Sequence, residues 1–255
     1  MKSILVIAQN TYREIFRDRI LYGLIVFAVL LIFVSIALGE LSFSEQSRIT
    51  INFGFTAIHL SAMILSIFVG STLVAREIEK KTIMTLFVRP ITRAQFVVGK
   101  SLGLLAVIGA SILILTTVLI GILFIIEQPL AGTFFIGLLG ILLEAMLILS
   151  VTLFFGTFSS PILAVSFSIG VFLIGHWLDS LKYFTEKSDS ALFQAFGKLV
   201  ARVVPNLEYF NWRALFVYNS SLPVGEIPVA TVYALAWTSL LVALAATILS
   251  RRDFN

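Results

Sequence analysis

The 255-residue chain is 59% apolar and only 13% charged, with a net charge of +4 and no cysteine. Soluble domains are nearer half apolar and a quarter charged, so this composition and the mean hydropathy of +1.04 exclude an ordinary soluble domain. The absence of cysteine excludes disulfides and thiolate metal sites, and the modest net charge is not a nucleic-acid signal.

The first predicted element is an amphipathic helix within residues 1–20. Ala8, Tyr12, Ile15 and Phe16 recur at helical spacing, while arginines and acidic residues fall on the opposite face. Such a helix lies along the inner membrane surface, with its arginines at the level of the lipid headgroups. The alternative is a simple N-terminal extension of the first membrane span.

Six continuous apolar runs follow, each near the roughly 20 residues that a helix needs to cross a bilayer. They predict an all-α integral membrane protein with a single domain over residues 1–255, and the predicted spans are 21–39, 55–75, 101–126, 134–155, 161–179 and 228–249. Twelve Lys and Arg residues lie in the termini and in residues 76–100, against six in the other loops. By the positive-inside rule, both termini and residues 76–100 are expected in the cytoplasm.

The cytoplasmic stretch AREIEKKTIMTLFVRPITRAQFVVGK separates spans two and three. Its beginning is polar, an apolar patch follows from Ile83 to Val88, and Pro90 disfavours helical geometry at Arg89. The pattern predicts a short helix that ends in a bend, which is more than a membrane anchor needs. We interpret it as a plug for the groove of a soluble partner; a merely solvated loop is the alternative.

The end of this stretch, AQFVVGKS, superficially resembles a phosphate-binding loop because it closes with Gly-Lys-Ser. Ala94 stands where that motif has its first glycine, and the bulky QFVV interior would prevent the backbone from wrapping phosphates. The chain is therefore not expected to bind ATP by this mechanism.

Three polar side chains stand out within the apolar runs. Glu144 lies about ten residues from either end of span four, so we expect it to face the bundle interior and to be protonated or paired. His59 and His176 lie near the outer ends of spans two and five, which puts Glu144 on the order of 10 Å deeper and makes direct pairing doubtful. A neutral acid hydrogen-bonded to Ser or Thr and a proton or substrate site both remain open. Two histidines without a third ligand make a poor metal site, and none is predicted.

Residues 180–227 are too long for a plain connector. Within them, ALFQAFGKLVARVVP predicts a helix of about 13 residues, with an apolar stripe of Leu192, Phe193, Phe196, Leu199, Val200, Val203 and Val204. It ends at Pro205, and its start can be capped by Ser188, Asp189 or Ser190. This helix is expected to pack on the outer ends of the bundle or to lie in the outer membrane interface; a docking face for an extracytoplasmic partner is the sharper interpretation.

The stretch REIEKKTIMTLFVRPITRAQFVVGKSLG resembles the cytoplasmic segment of ABC-2 type permeases, in which a Glu, a Thr, a Pro-x-x-Arg and a Gly-Lys recur in this order. The runs LLEAMLILSVTLFFGTFSSP, IGHWLDSL, VVPNLEYFNW and RRDF are similar to the branch related to the permease of nitrous-oxide-reductase copper-site maturation. The resemblance implies an ATPase-coupling role for Glu77, Glu79, Thr82, Leu86, Pro90, Arg93, Gly99 and Lys100.

The resemblance further implies that two copies of the chain pair in the inner membrane of a prokaryote, above two copies of a separate ATPase. The helix around Glu77–Val88 would be the coupling helix, residues 1–20 the elbow helix, and residues 180–227 the outer helices. The chain itself would be non-catalytic and hold no cofactor, because ATP and Mg²⁺ would bind to the ATPase. Membrane lipid and an extracytoplasmic protein complete the expected partners, and no nucleic acid is among them.

Three functions are compatible with these residues. The first is an ATP-driven exporter of an amphipathic or lipid-like substrate, favoured because the spans contain few charges. The second is a mechanical transmitter that acts on an extracytoplasmic protein while nothing crosses the membrane. The third is a secondary transporter with Glu144 as proton carrier, although such folds usually contain inverted repeats and broken helices, which the sequence does not display.

Overall fold

The computed structural model describes residues 2–40, 46–73, 92–218 and 225–251, and no strand occurs in these ranges. Six helices are long and apolar enough to cross a membrane: α2 (Arg19–Glu40), α3 (Gln46–Leu73), α4 (Arg93–Ile125), α5 (Gly132–Gly156), α6 (Pro161–Lys187) and α9 (Glu226–Arg251). The shorter elements are α1 (Lys2–Phe16), α7 (Ala191–Val203), a 3₁₀ turn (Glu208–Phe210) and α8 (Arg213–Val217). The predicted all-α architecture with six spans is confirmed.

We call the end of the bundle formed by residues 126–131 and 188–218 the outer end, following the predicted orientation. Several spans extend further than the apolar runs predicted. Helix α3 begins at Gln46 rather than near residue 55, and α6 continues to Lys187 rather than ending near 179. Hydropathy marks only the part of a helix that suits hydrocarbon, whereas backbone hydrogen bonding continues the helix into more polar sequence.

Local sequence signals explain several helix starts. Thr92 and Gln95 form a reciprocal capping box at the start of α4, with the two backbone-to-side-chain bonds at 3.2 Å each. Ser190 caps α7 by accepting from the backbone N–H of Phe193, which selects one of the three predicted caps. Pro161 occupies the first turn of α6, where its missing N–H leaves no bond unmade.

Helices α3 and α5 form the centre of the bundle. In their most apolar windows, 72% and 67% of the residues are buried, against 28% in α2 and 22% in both α6 and α9. Helix α5 contacts α3, α4, α6, α8 and α9. The apolar faces of α2, α6 and α9 are therefore left for lipid or for another protein, whereas α3 and α5 are the spans on which a polar side chain is shielded from both.

The predicted N-terminal amphipathic helix is present as α1, and it packs against the first turns of α4. Gly99 and Gly103 permit this close approach. A β-carbon on Gly99 would come within 2.7 Å of the Ile7 side chain, and one on Gly103 within 2.6 Å of the Ala8 carbonyl oxygen. Helix α1 is not an extension of the first span, because the chain leaves the helix before Asp18 and starts again at α2.

Candidate functional site

His59, Glu144 and His176 meet in the interior of the bundle, on helices α3, α5 and α6. The His59 Nε2 lies 2.9 Å from Glu144 Oε2, and the His176 Nε2 lies 3.4 Å from Glu144 Oε1. Glu144 is only 3% exposed and His59 only 9%. The structure thus gathers the three candidate intramembrane residues, two of them buried and His176 partly buried, into one polar group, which we call the His-Glu-His cluster.

The expectation that Glu144 lies about 10 Å deeper than the histidines is wrong. Because α3 starts earlier and α6 ends later than predicted, each of the three residues lies about 12 residues from the outer end of its helix. At 1.5 Å per residue this is a common depth of ~18 Å. The alternative in which Glu144 forms a hydrogen bond with a Ser or Thr is also wrong, since both carboxyl oxygens of Glu144 face imidazole nitrogens instead.

A fourth side chain, that of Arg213 at the start of α8, reaches the cluster. Its Nη1 lies 3.4 Å from His59 Nδ1, and its Nε donates to Asn211 Oδ1 at 3.0 Å. Sequence reasoning missed Arg213, because it counted this residue only as one of six basic residues in the outer loops. The apolar residues on either side of Arg213, in the run NWRALFVY, could have indicated that this part of the loop is buried.

Residues 205–217, which we call the inserted segment, enter the bundle rather than resting on its outer end. Leu207 is fully buried and Phe210 is 1% exposed. The backbone N–H of Leu207 donates to the Gly175 carbonyl of α6 at 3.1 Å. A β-carbon on Gly140 of α5 would lie 2.3 Å from the Phe210 carbonyl oxygen. Glycine on two spans therefore makes room for irregular backbone, which a membrane protein tolerates only where protein surrounds it.

Asn206 fixes the start of the inserted segment. Its backbone N–H donates to the Tyr233 hydroxyl at 2.8 Å and its side-chain N–H donates to Asp179 at 3.0 Å. Its side-chain oxygen accepts from the backbone N–H of Glu208 at 3.0 Å. The segment is thereby attached to both α6 and α9 before it descends to the cluster.

The hydrogen-bond network assigns the tautomers of both histidines. Arginine only donates, so His59 Nδ1 accepts and its Nε2–H donates to Glu144. The Phe172 carbonyl only accepts, so His176 Nδ1–H donates to it at 3.1 Å. His176 Nε2 faces Glu144 Oε1, an oxygen that has no hydrogen-bond partner among the described residues.

A small cavity adjoins this unsatisfied oxygen. Its volume is about 10 Å³, and its walls are His59, Gly137, Ile141, Glu144, His176, Phe210, Asn211 and Arg213. That size is close to the minimum for one water molecule or one monatomic ion. Two imidazoles and a carboxylate are also recognised ligands of divalent transition metals. The reason for expecting no metal site, the lack of a third ligand, therefore does not hold.

The predicted ATPase-coupling residues fall into two groups. Glu77, Glu79, Thr82, Leu86 and Pro90 lie outside the described residues, and their role stays a prediction. Arg93, Gly99 and Lys100 lie at the start of α4 and hold neighbouring helices. The Arg93 guanidinium donates to the Leu249 carbonyl near the end of α9, Gly99 contacts α1, and Lys100 Nζ lies 3.5 Å from Glu14 of α1.

Helix α7 has one packed face and one exposed apolar face. Gly197 packs against Thr185 of α6, where a β-carbon would lie 2.2 Å from the threonine hydroxyl. On the exposed face, Leu192, Phe196, Leu199 and Val203 are 58–85% accessible. The helix and its amphipathic pattern were predicted correctly, and the apolar stripe is left open to lipid or to a partner.

The sequence model of the family described as "ABC-2 family transporter protein" matches residues 17–183 of the chain. None of the curated proteins compared with the chain matches it. The match covers about two thirds of the 255 residues and spans α2 to α6, including the His-Glu-His cluster and the predicted coupling segment. The chain therefore belongs to the ABC-2 transporter family, as a multi-pass membrane permease component.

Proposed function

We propose that this chain is the passive membrane half of an ATP-driven exporter. Two copies pair in the inner membrane of a prokaryote, and two copies of a separate ATPase bind at the cytoplasmic side. The substrate is amphipathic or lipid-like. Within the family, the chain is assigned to the branch related to the permease of nitrous-oxide-reductase copper-site maturation, on the similarity of residues such as IGHWLDSL and VVPNLEYFNW.

The observation that carries the proposal is the junction at the start of α4. This helix begins at Arg93, five residues after the end of the predicted coupling helix Glu77–Val88, and its first turns hold α1 through Gly99 and Lys100 and α9 through Arg93. A displacement of the coupling segment is therefore passed on to an elbow helix and two spans at once. ATP can shift the conformation of the membrane domain only if the ATPase makes different contacts with the two conformations of that domain. The junction at the start of α4 is where these different contacts would act on the spans.

An apolar groove supports the choice of substrate. It lies between α4, α5 and α9, has a volume of about 530 Å³, and is lined mainly by Leu, Val and Ala side chains. Ser101, Ser150, Thr238 and Ser239 add hydroxyl groups to the lining. Such a lining suits an acyl chain with a polar end better than it suits a bare ion.

The inserted segment favours the second candidate, the mechanical transmitter. It joins the outer helix α7 to the centre of the bundle, through the Leu207–Gly175 bond and the contact of Arg213 with His59. A movement of the spans would thus be transmitted outward to the exposed apolar stripe of α7. The proton-coupled secondary transporter is disfavoured by membership of an ATP-driven family, and retention of transport across pH by Glu144→Gln would eliminate it.

The test is co-purification of the chain with a candidate ATPase, sought first among the products of the neighbouring genes. Glu77→Lys and Leu86→Asp should each abolish recovery of the ATPase. The first variant reverses a charge in the proposed plug, and the second places a charge in its apolar patch. Glu186→Lys and Leu130→Asp, two exposed positions on the outer side, are the matched controls and should leave recovery unchanged. Unchanged recovery with both coupling variants would overturn the proposal.

The two candidate functions are then separated with the purified complex in vesicles. An exporter should move fluorescently labelled phospholipid between leaflets only when ATP is supplied. A transmitter should hydrolyse ATP without moving any lipid, and should retain an outer protein partner. Turnover by the chain without any nucleotide-hydrolysing partner would refute both.

A further inference from the structure

We propose that His59, Glu144 and His176 bind one divalent transition-metal ion of the Zn²⁺ class, and that the Arg213 guanidinium supplies the balancing positive charge when no ion is bound. The inference does not depend on the ATPase partner, because it concerns only side chains of this chain.

The donor atoms are already close to metal-binding separations. All three potential ligand atoms lie within 4.8 Å of one another, and the two measured nitrogen–oxygen separations are 2.9 and 3.4 Å. Bonds of about 2.0–2.1 Å in tetrahedral geometry require ligand atoms ~3.3 Å apart. The longest of the three separations would have to shorten by at most about 1.5 Å, a change that two flexible side chains can share.

The surroundings of the cluster fit a metal centre in two further respects. His176 donates its Nδ1–H to the Phe172 carbonyl, which is the kind of bond that orients a metal-ligating imidazole. Glu144 Oε1 is buried, has no hydrogen-bond partner in the described part of the chain and borders the cavity of about 10 Å³. Three protein ligands beside a volume that fits one ion give a three-ligand site, of the kind in which water or a substrate atom is the fourth ligand.

Arg213 is what determines when the ion can bind. With the guanidinium seated, the charge of a Glu144 carboxylate is already balanced within the cluster, and His59 Nε2 carries a proton. A divalent ion would then add two positive charges to a buried site, which is strongly unfavourable. If Arg213 withdraws, His59 can reverse its tautomer and coordinate the ion through Nε2.

Movement of the inserted segment would carry Arg213 away from the cluster, since the Arg213 backbone is packed against α5, with its Cα 3.3 Å from the β-carbon position of Gly137. Phe210, Asn211 and Arg213 also form part of the wall of the cavity. Metal binding and displacement of the inserted segment are thus coupled, and the coupling is reciprocal. The bound ion would favour the state in which the inserted segment has moved away from α5.

The experiment titrates Zn²⁺ against the purified full-length chain in lipid nanodiscs, with an affinity tag that contains no histidine. The chain has two histidines and no cysteine, so little background binding is expected. Wild-type chain should bind one Zn²⁺ per copy. His59→Gln, His176→Gln and Glu144→Gln should each weaken binding by more than ~10-fold, since even loss of an outer-shell partner costs that much.

Arg213 variants test the competition directly. Arg213→Gln should tighten Zn²⁺ binding by ~10-fold or more, while Arg213→Lys, which keeps the charge, should not. X-ray absorption at the zinc edge should detect two imidazole nitrogens and carboxylate oxygen at about 2.0–2.1 Å. Absence of Zn²⁺ binding below about 1 mM in both wild type and Arg213→Gln would overturn the metal site, as would binding that survives all three ligand substitutions. Equal affinity of wild type and Arg213→Gln would overturn the role of Arg213.

Discussion

The contact between Gly140 and the inserted segment yields the sharpest prediction. A β-carbon at this position would lie 2.3 Å from the Phe210 carbonyl oxygen, against an ordinary contact distance of at least 3.4 Å. Gly140→Ala must therefore displace the backbone of the inserted segment, or α5, by about 1 Å. Overpacking of this kind typically costs about 1–3 kcal/mol. Because Arg213 follows only three residues later, its 3.4 Å contact with His59 should be lost as well.

Gly109→Ala on α4 is the matched control, since a β-carbon there would meet no heavy atom of the described residues within 4 Å. Alanine in a helix is favoured over glycine by about 1 kcal/mol, so this variant should be neutral or slightly more stable. We expect the free energy of unfolding, measured by denaturant titration in mixed micelles, to fall by about 1–3 kcal/mol for Gly140→Ala only. Hydrogen exchange of the backbone amides in residues 205–217 should accelerate in parallel.

Equal stability of the two glycine variants would refute the close approach of α5 and the inserted segment. A loss of stability without faster exchange in residues 205–217 would mean that α5, and not the inserted segment, absorbs the displacement. In that case the inserted segment and the cluster would not move together.

Three further predictions concern α1, α7 and the His-Glu-His cluster. Gly103→Val should loosen the packing of α1 on α4, because a β-carbon at position 103 would lie 2.6 Å from the Ala8 carbonyl oxygen of α1. Trypsin should then cleave within α1 several-fold faster. Gly109→Val should not have this effect. Leu199→Asp should leave ATP-driven transport within about twofold of wild type, because the Leu199 side chain is 61% exposed. If this variant instead lost both transport and an outer protein partner, the mechanical transmitter would be the favoured function. Arg213→Gln should lower the free energy of unfolding by about 1–3 kcal/mol, since the buried His59 side chain loses its partner at Nδ1. Arg202→Gln, on the exposed polar face of α7, should change it by less than about 0.5 kcal/mol, and similar losses in both variants would contradict the contact.

The sequence determined the class of the protein and its element order. A bilayer requires about 20 apolar residues per span and a helix that satisfies its own backbone, so α2 to α6 and α9 could be predicted from composition alone. The amphipathic period of α1 and α7 and the cap at Ser190 are equally local signals. The coupling helix around Glu77–Val88 was predicted in the same way, and it lies outside the described residues.

Only the tertiary structure decided the candidate site. His59, Glu144 and His176 are far apart in sequence, and their common depth depends on helix ends that hydropathy places with errors of several residues. At 1.5 Å per residue, a misplaced end of nine residues is a displacement of ~13 Å, enough to separate residues that are in contact. The insertion of residues 205–217 depends on glycines of α5 and α6 lying opposite a particular stretch of backbone, and such matching between distant segments leaves no periodic signal in either one.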